Sequence, residues 1–389
     1  MNGVNTMLAS RPPLGWNSWN TFGEHISDAL IREMADFMVD QGWLAAGYNY
    51  LVIDDCWSLR DRDENGLLVP DPAKFPHGMK DLADYVHSKG LKFGMYSCAG
   101  VMTCAGYPSS YDHEFVDAQT FASWGVDFLK YDFCNFPESG DCRNRYQTMA
   151  MALKASGRDI LFSACNWGRH DPWKWMRSRG AHMYRSTGDI MDNYVSFTDI
   201  FKSQLDNLCM SGTDCFNDMD MLTVGMCGKG NVGFGKVCTY EEYRMQFALW
   251  CLCGVPLMMG ADLRSLSRNT SRSCRIKTCF ALIRTRNAVR LSLSAAVLSL
   301  LPIRNRKRAS SPGVNSRILL SPCSVICPAV SFPWPSSTFP KQKPAYIVNW
   351  WILAFRFLPE LPLKFAMLLQ VKTLAGKLIT STRLFQAMI

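Results

Sequence analysis

The sequence predicts an α/β fold, a (β/α)8 TIM barrel, over residues 1–265, on three observations. Short apolar runs alternate with longer helix-compatible runs, the rhythm of βαβ units around a parallel sheet. Eight such strands fit into roughly 250 residues, the usual span of a closed eightfold barrel. The glycine-rich phosphate fingerprint that would favour an open dinucleotide-binding sheet is missing.

Strands are expected at 13–16, 50–54, 92–97, 127–132, 159–165, 182–186, 218–224 and 256–260. Helical patterns lie between most of them. Residues 26–41 repeat apolar side chains at Ile31, Met34, Phe37 and Met38, and 79–89 and 117–124 behave similarly. Residues 239–252 open with Thr239 and Glu242, the spacing of a capping box.

Chemistry-bearing residues gather where these strands end. The second strand runs into Asp54-Asp55-Cys56-Trp57, the third into Tyr96, and the fourth into Lys130-Tyr131-Asp132. The sixth ends in Arg185-Ser186-Thr187-Gly188-Asp189, and the seventh is expected to begin Asn217-Asp218-Met219-Asp220. In such barrels the C-terminal strand ends form the active-site rim. Carboxylates, cations and tryptophans on one rim suit a neutral polyhydroxyl substrate: aromatic faces pack on sugar C–H faces, and carboxylates bind hydroxyls and run acid/base chemistry.

Glycoside cleavage needs one ionised carboxylate at the anomeric carbon and one protonated carboxyl at the leaving oxygen. Strand alternation points Lys130 and Asp132 to the same face, so the ammonium is expected to hold Asp132 ionised. Asp189 follows Arg185 past a glycine, where partial desolvation would raise its pKa. Spacing alone leaves either aspartate free to be a hydroxyl ligand instead. Cys98, Cys165, Cys251 and Cys253, the Met258-Met259 pair and Trp124 are expected to be core packing.

Composition changes sharply near Ser265. The residues before it hold 32 Asp and Glu against 23 Lys and Arg; those from Ser265 onward hold only Glu360 against nineteen Lys and Arg, and only two glycines, Gly313 and Gly376. The net +9 therefore describes neither part, and the basic excess brings no basic helix stripe of the kind that binds nucleic acid. Sixteen scattered cysteines do not make a small-domain disulfide scaffold. No CxxC pair occurs and histidine numbers six, so no metal or other cofactor is expected. The first sixteen residues lack a basic start and an apolar run, which predicts a cytoplasmic chain. Residues 345–369 are apolar but broken by Arg356, Pro359, Glu360, Pro362 and Lys364, so no membrane span is expected.

GWNSWN at 15–20, IDDCW at 53–57, GMYS at 94–97, TCAG at 103–106 and WGVDFLKYDFCN at 124–135 together resemble glycoside hydrolase family 27, the α-galactosidases (melibiases) and α-N-acetylgalactosaminidases. RSTGD at 185–189, NDMDML at 217–222 and PLMMGADLR at 256–264 extend the resemblance over residues 10–265. It implies a TIM barrel followed by an antiparallel β domain, a galactoside substrate, Asp132 as nucleophile and Asp189 as acid/base. It further implies that Asp54, Asp55, Lys130, Arg185 and Asp220 bind sugar hydroxyls and that Trp19, Tyr96 and Trp167 shape the walls. Asn166 falls in the loop that reads the 2-position, where CNW favours free galactose over an N-acetylated sugar. Cys104 and Cys134 match the family's second disulfide, whereas Cys56 lacks its usual partner because Phe22-Gly23-Glu24 stands there. Met219 and Phe216 replace the family's usual Pro and Trp, which should alter loop stiffness more than chemistry.

After the eighth strand the family continues with a helix and a segment resembling NKDVxxxNQD. Here the chain reads SRNTSRSCRIKTCFALIRTRNAVR. Freely chosen codons for 268–290, read from the last base of the Arg268 codon, can spell EYLEILQNKDVFRLNQDAECRP. A one-base deletion near codon 267 or 268 is therefore expected, making 266–389 an aberrant, poorly ordered tail without an apolar period. The expected function is a retaining exo-α-galactosidase impaired by that tail. The alternatives are an α-N-acetylgalactosaminidase, a β-L-arabinopyranosidase, or a non-catalytic galactose-binding relic.

Overall fold

A computed structural model describes residues 8–275. The tail reading lies outside the described residues except at 266–275. Eight strands run in chain order: β1 (Leu14–Asn17), β2 (Tyr50–Val52), β3 (Lys92–Cys98), β4 (Phe128–Asp132), β5 (Leu161–Cys165), β6 (Met183–Arg185), β7 (Phe216–Asp218) and β8 (Leu257–Met259). All pair in parallel, in the order β7-β6-β5-β4-β3-β2-β1-β8. The helices between them are α1 (Trp19–Phe22), α2 (Asp28–Asp40), α3 (Trp43–Ala46), α4 (Gly78–Ser88), α5 (Glu114–Trp124), α6 (Cys142–Ala155), α7 (Tyr194–Gln204), α8 (Tyr240–Cys253) and α9 (Arg268–Cys274).

Local sequence accounts for the helices. The Ser27 hydroxyl accepts the Leu30 N–H and starts α2, which buries Ile31, Met34, Ala35 and Met38, three and four residues apart. The capping box opening α8 is present: Thr239 Oγ1 accepts the Glu242 N–H, and Glu242 returns the bond to the Thr239 N–H at 2.7 Å. Helix α9 is capped by Ser267 and docks through Cys274, whose carbonyl accepts the Tyr48 hydroxyl at 2.9 Å.

The seventh strand is where structure and expectation part. Residues 218–224 were expected to form one strand, with Asn217, Asp218 and Asp220 at its beginning. Instead β7 ends at Asp218 after pairing with β6, and Leu222 alone bridges to Met259 of β8. The Leu222 N–H donates to the Met258 carbonyl at 2.8 Å, and the Gly260 N–H donates to Leu222 at 3.0 Å. Between the two segments Asp220 takes φ 79°, a left-handed conformation that breaks a strand. The chain thus pairs with β6, turns, and reaches β8, bringing its carboxylates to the C-terminal rim.

Register stacks the inward residues in layers. The lowest is apolar: Val52 pairs with Gly94, Gly94 with Phe128 and Phe128 with Leu161. Above it Tyr96, Lys130, Ser163, Met183 and Phe216 lie level, and above these Cys98, Asp132, Cys165, Arg185 and Asp218. Tyr50, Val52, Phe128, Leu161, Met183, Phe216 and Met258 pack together inside the ring. A larger core fills the space between strands and helices and holds Trp16, Phe121 and Trp250, all fully buried. Trp124 lies against that core partly buried, edge-on to Trp57.

Candidate active site

The top layer is a floor of charge. Asp132 ends β4 with little exposure, Oδ1 accepting the Phe133 N–H at 2.9 Å and Oδ2 accepting the Tyr96 hydroxyl at 3.2 Å. Two residues past β2, period two keeps Asp54 on the inner face, level with Tyr96 and Lys130. There the Lys130 ammonium donates to Asp54 Oδ2 at 2.8 Å. The salt bridge of Lys130 thus belongs to Asp54, and Lys130 favours ionised Asp132, as expected from their shared face, through its field alone. Burial pushes the Asp132 carboxyl above its ordinary value, against the opposing pull of Lys130 and Arg185. Burial likewise works against the charge of Lys130, but Asp54 and Asp132 more than offset it, and its pKa ends raised.

Asp55 turns the other way, toward the loop after β3. Its Oδ2 accepts the Ala105 N–H at 3.0 Å and its Oδ1 the Cys56 N–H at 2.7 Å; burial raises its pKa against these bonds. That loop is tied to the segment following β4 by the Cys104–Cys134 disulfide, with Cα atoms 5.0 Å apart. The Asn135 amide reinforces the tie by donating to the Thr103 carbonyl at 2.9 Å. Among the described residues Cys56, Cys98 and Cys165 are buried and outside any disulfide, and Cys251 is buried.

Across the ring, Arg185 Nη2 reaches both Asp189 Oδ1 at 2.6 Å and Asp220 Oδ2 at 2.8 Å. Asp220 also accepts the Ile190 N–H at 2.8 Å. Burial raises the Asp220 carboxyl, with Arg185 pulling it back. Asp189 departs from expectation. Its side chain is 68% exposed, not partly desolvated, because Gly188 carries it off the end of β6 into solvent, where Arg185 alone among the described residues holds it.

Trp19 and Trp167 stand partly buried at the mouth, Trp19 against the inner core and Trp167 edge-on to Phe133 at 5.8 Å. Trp167 itself has φ 56°, and Gly168 behind it lies so close to the Ser186 carbonyl that a Cβ would overlap it. Asn166 is fully buried, its amide turned to the Arg169 carbonyl and its Oδ1 without a partner among the described residues. The structure thus places it beneath the loop, not on an open wall.

Sequence reading missed three supporting residues. Asn17 Nδ2 donates to Asp54 Oδ2 at 2.8 Å, and the Ser18 hydroxyl accepts the Asp54 N–H at 3.0 Å. Both lie inside GWNSWN, where only Trp19 had been singled out. The third is Asp218, which the sequence places on the rim of the seventh strand but to which it assigns no role.

A parallel barrel carrying two aspartates in opposite environments, flanked by further carboxylates, cations and tryptophans, has the architecture of a barrel glycosidase. The chain belongs to the family whose model is described as Alpha galactosidase A (Melibiase_2), matched over residues 11–284. It is 49% identical to the alpha-galactosidase of Cyamopsis tetragonoloba over 265 residues, 68% of this chain and 62% of that protein. Alpha-galactosidase I of Mortierella vinacea superposes with a TM-score of 0.67 at 35% identity, covering 72% of this chain and 74% of that one. The alfa-galactosidase of Saccharomyces cerevisiae solved with raffinose gives a TM-score of 0.62 at 34% identity, covering 69% and 62%. The chain spans about three fifths of the length of the curated relatives it matches. Among the described residues no helix is long and apolar enough to cross a membrane.

Proposed function

We propose that the chain is a retaining exo-α-galactosidase, removing terminal α-linked galactose by double displacement. Asp132 attacks the anomeric carbon while Asp189 gives a proton to the departing glycosidic oxygen, leaving galactose esterified to Asp132. Asp189 then takes a proton from the water that cleaves this ester, and both aspartates return to their starting state. A sugar on the layer covers Asp189, the desolvation an acid requires. Asp54, Asp55, Lys130, Arg185 and Asp220 hold hydroxyls, and Trp19, Tyr96 and Trp167 bound the ring. Asn166 acts from beneath, setting the loop at the 2-position, and the Cys104–Cys134 disulfide fixes the loop opposite.

The observation that carries this reading is the contrast between the two aspartates. Asp132 is buried under Tyr96 with two cations near, while Asp189 stands exposed at the mouth in the grip of Arg185. A relative crystallised with raffinose supports sugars of that type as substrates. Three 4-nitrophenyl glycosides test it: α-galactoside, α-N-acetylgalactosaminide and β-L-arabinopyranoside. Cleavage is expected for the α-galactoside, and Asp132→Asn should lower it by at least about three orders of magnitude. Preference for another glycoside, or turnover unchanged by Asp132→Asn, overturns the reading.

A further inference from the structure

We propose that Asp218 is a positioning residue for the acid/base Asp189, acting through the left-handed turn at Asp220 and through Arg185. The inference rests on the galactosidase reading above, in which Asp218 itself has no step.

The connection is a chain of four contacts. Asp218 is the last inward residue of β7, two beyond Phe216 and level with Arg185 on β6. Its Oδ1 accepts the Asp220 N–H at 2.9 Å, an Asx-type turn that spans the break in the strand. Asp220 at φ 79° occupies a region that side chains with a Cβ avoid, so the conformation must be held from outside. Held so, Asp220 turns its carboxylate back across β6 to Arg185 Nη2 at 2.8 Å and to the Ile190 N–H at 2.8 Å. The same Nη2 holds Asp189 at 2.6 Å, and Ile190 is the next residue in the chain. Both tethers of the acid/base segment therefore end on Asp220, and Asp218 sets where Asp220 stands.

The charge around Asp218 agrees with this placement. Arg185 faces it from β6, Lys130 from β4, and Asp220 from its own turn. Burial is the largest influence and pushes its carboxyl up to about 6, against the pull of Arg185 and Lys130. The site thus keeps a carboxylate that costs stability, as expected where geometry at a reacting group is the return.

Leaving-group dependence separates positioning of an acid from mere support of the fold. A 2,4-dinitrophenyl α-galactoside departs without protonation, whereas melibiose needs the proton. Asp218→Ala in the full chain is expected to lose roughly ten- to hundredfold in kcat/KM on melibiose and under about threefold on the dinitrophenyl glycoside. Asp218→Asn keeps an Oδ1 acceptor and is expected to restore melibiose turnover to within about threefold of the parent. Equal losses on both glycosides, or Asp218→Asn behaving like Asp218→Ala, overturn the proposal. A parent chain that cleaves neither glycoside overturns the galactosidase reading and this inference with it.

Discussion

At the residue scale, the site turns on which cation meets which carboxylate. Lys130 and Asp132 share a face, yet the long lysine side chain bridges past β3 to Asp54 after β2, leaving Asp132 under Tyr96. Lys130 still lowers the Asp132 pKa from a distance. In the mechanism proposed above attack requires ionised Asp132, so Lys130→Met should move the acidic limb of kcat/KM to higher pH; an unmoved limb would show that its field does not reach Asp132. Asp218 gives a stability prediction whose sign follows from its raised value. The folded state holds this proton more tightly than the unfolded chain, so its stabilising contribution is complete below about pH 4 and is lost as pH rises through about 6. Asp218→Asn should therefore gain about 1–2 kcal/mol over the parent at pH 7 relative to pH 4, allowing for the carboxyl's partial exposure. Urea unfolding at the two pH values measures it.

At the element scale, loops are pinned to the barrel by buried polar groups. Arg62, in the segment between β2 and α4, donates to both carboxylate oxygens of Asp117 on α5 at 2.7 Å, and Asp117 is fully buried. Arg62→Ala strands that charge and should cost about 3–5 kcal/mol in urea unfolding; a loss below about 1 kcal/mol would mean that water replaces the guanidinium. Gly100, after β3, has no room for a side chain because a Cβ would overlap the Cys134 carbonyl. Gly100→Ala should accordingly destabilise by about 1–3 kcal/mol. The helices were legible because apolar spacing and caps are local: Ser27, Thr239 and Glu242 act within one turn of the backbone they satisfy. The seventh strand was misplaced because Leu222 bonds to β8 while Phe216 bonds to β6. Hydrophobic pattern records that both are buried, not that they serve different neighbours.

At the scale of the whole molecule, the border near Ser265 matters most. Among the described residues, Tyr240 and Leu252 of α8 and Phe234 and Val237 before it are exposed apolar groups. We infer that restoring the reading frame at codon 267 or 268 supplies the sequence that covers such surface. Produced side by side, the restored chain is expected to give more soluble protein and higher activity on 4-nitrophenyl α-galactoside than the chain as written. Equal yield and activity would refute a damaged frame.

Residue order alone carried the barrel, its strand count and the rim composition, because alternation acts over a few bonds; the resemblance carried by short motifs supplied the roles expected of Asp132 and Asp189. Folding settled the rest: that Lys130 serves Asp54, that Asp189 stands in water, that Asn166 lies beneath its loop, and that Asp218 accepts the Asp220 N–H in a turn while Asp220 pairs with Arg185. All depend on register between strands far apart in the chain and on how much water reaches the carboxylates. Both are properties of the ring, which no single segment possesses before the others are in place.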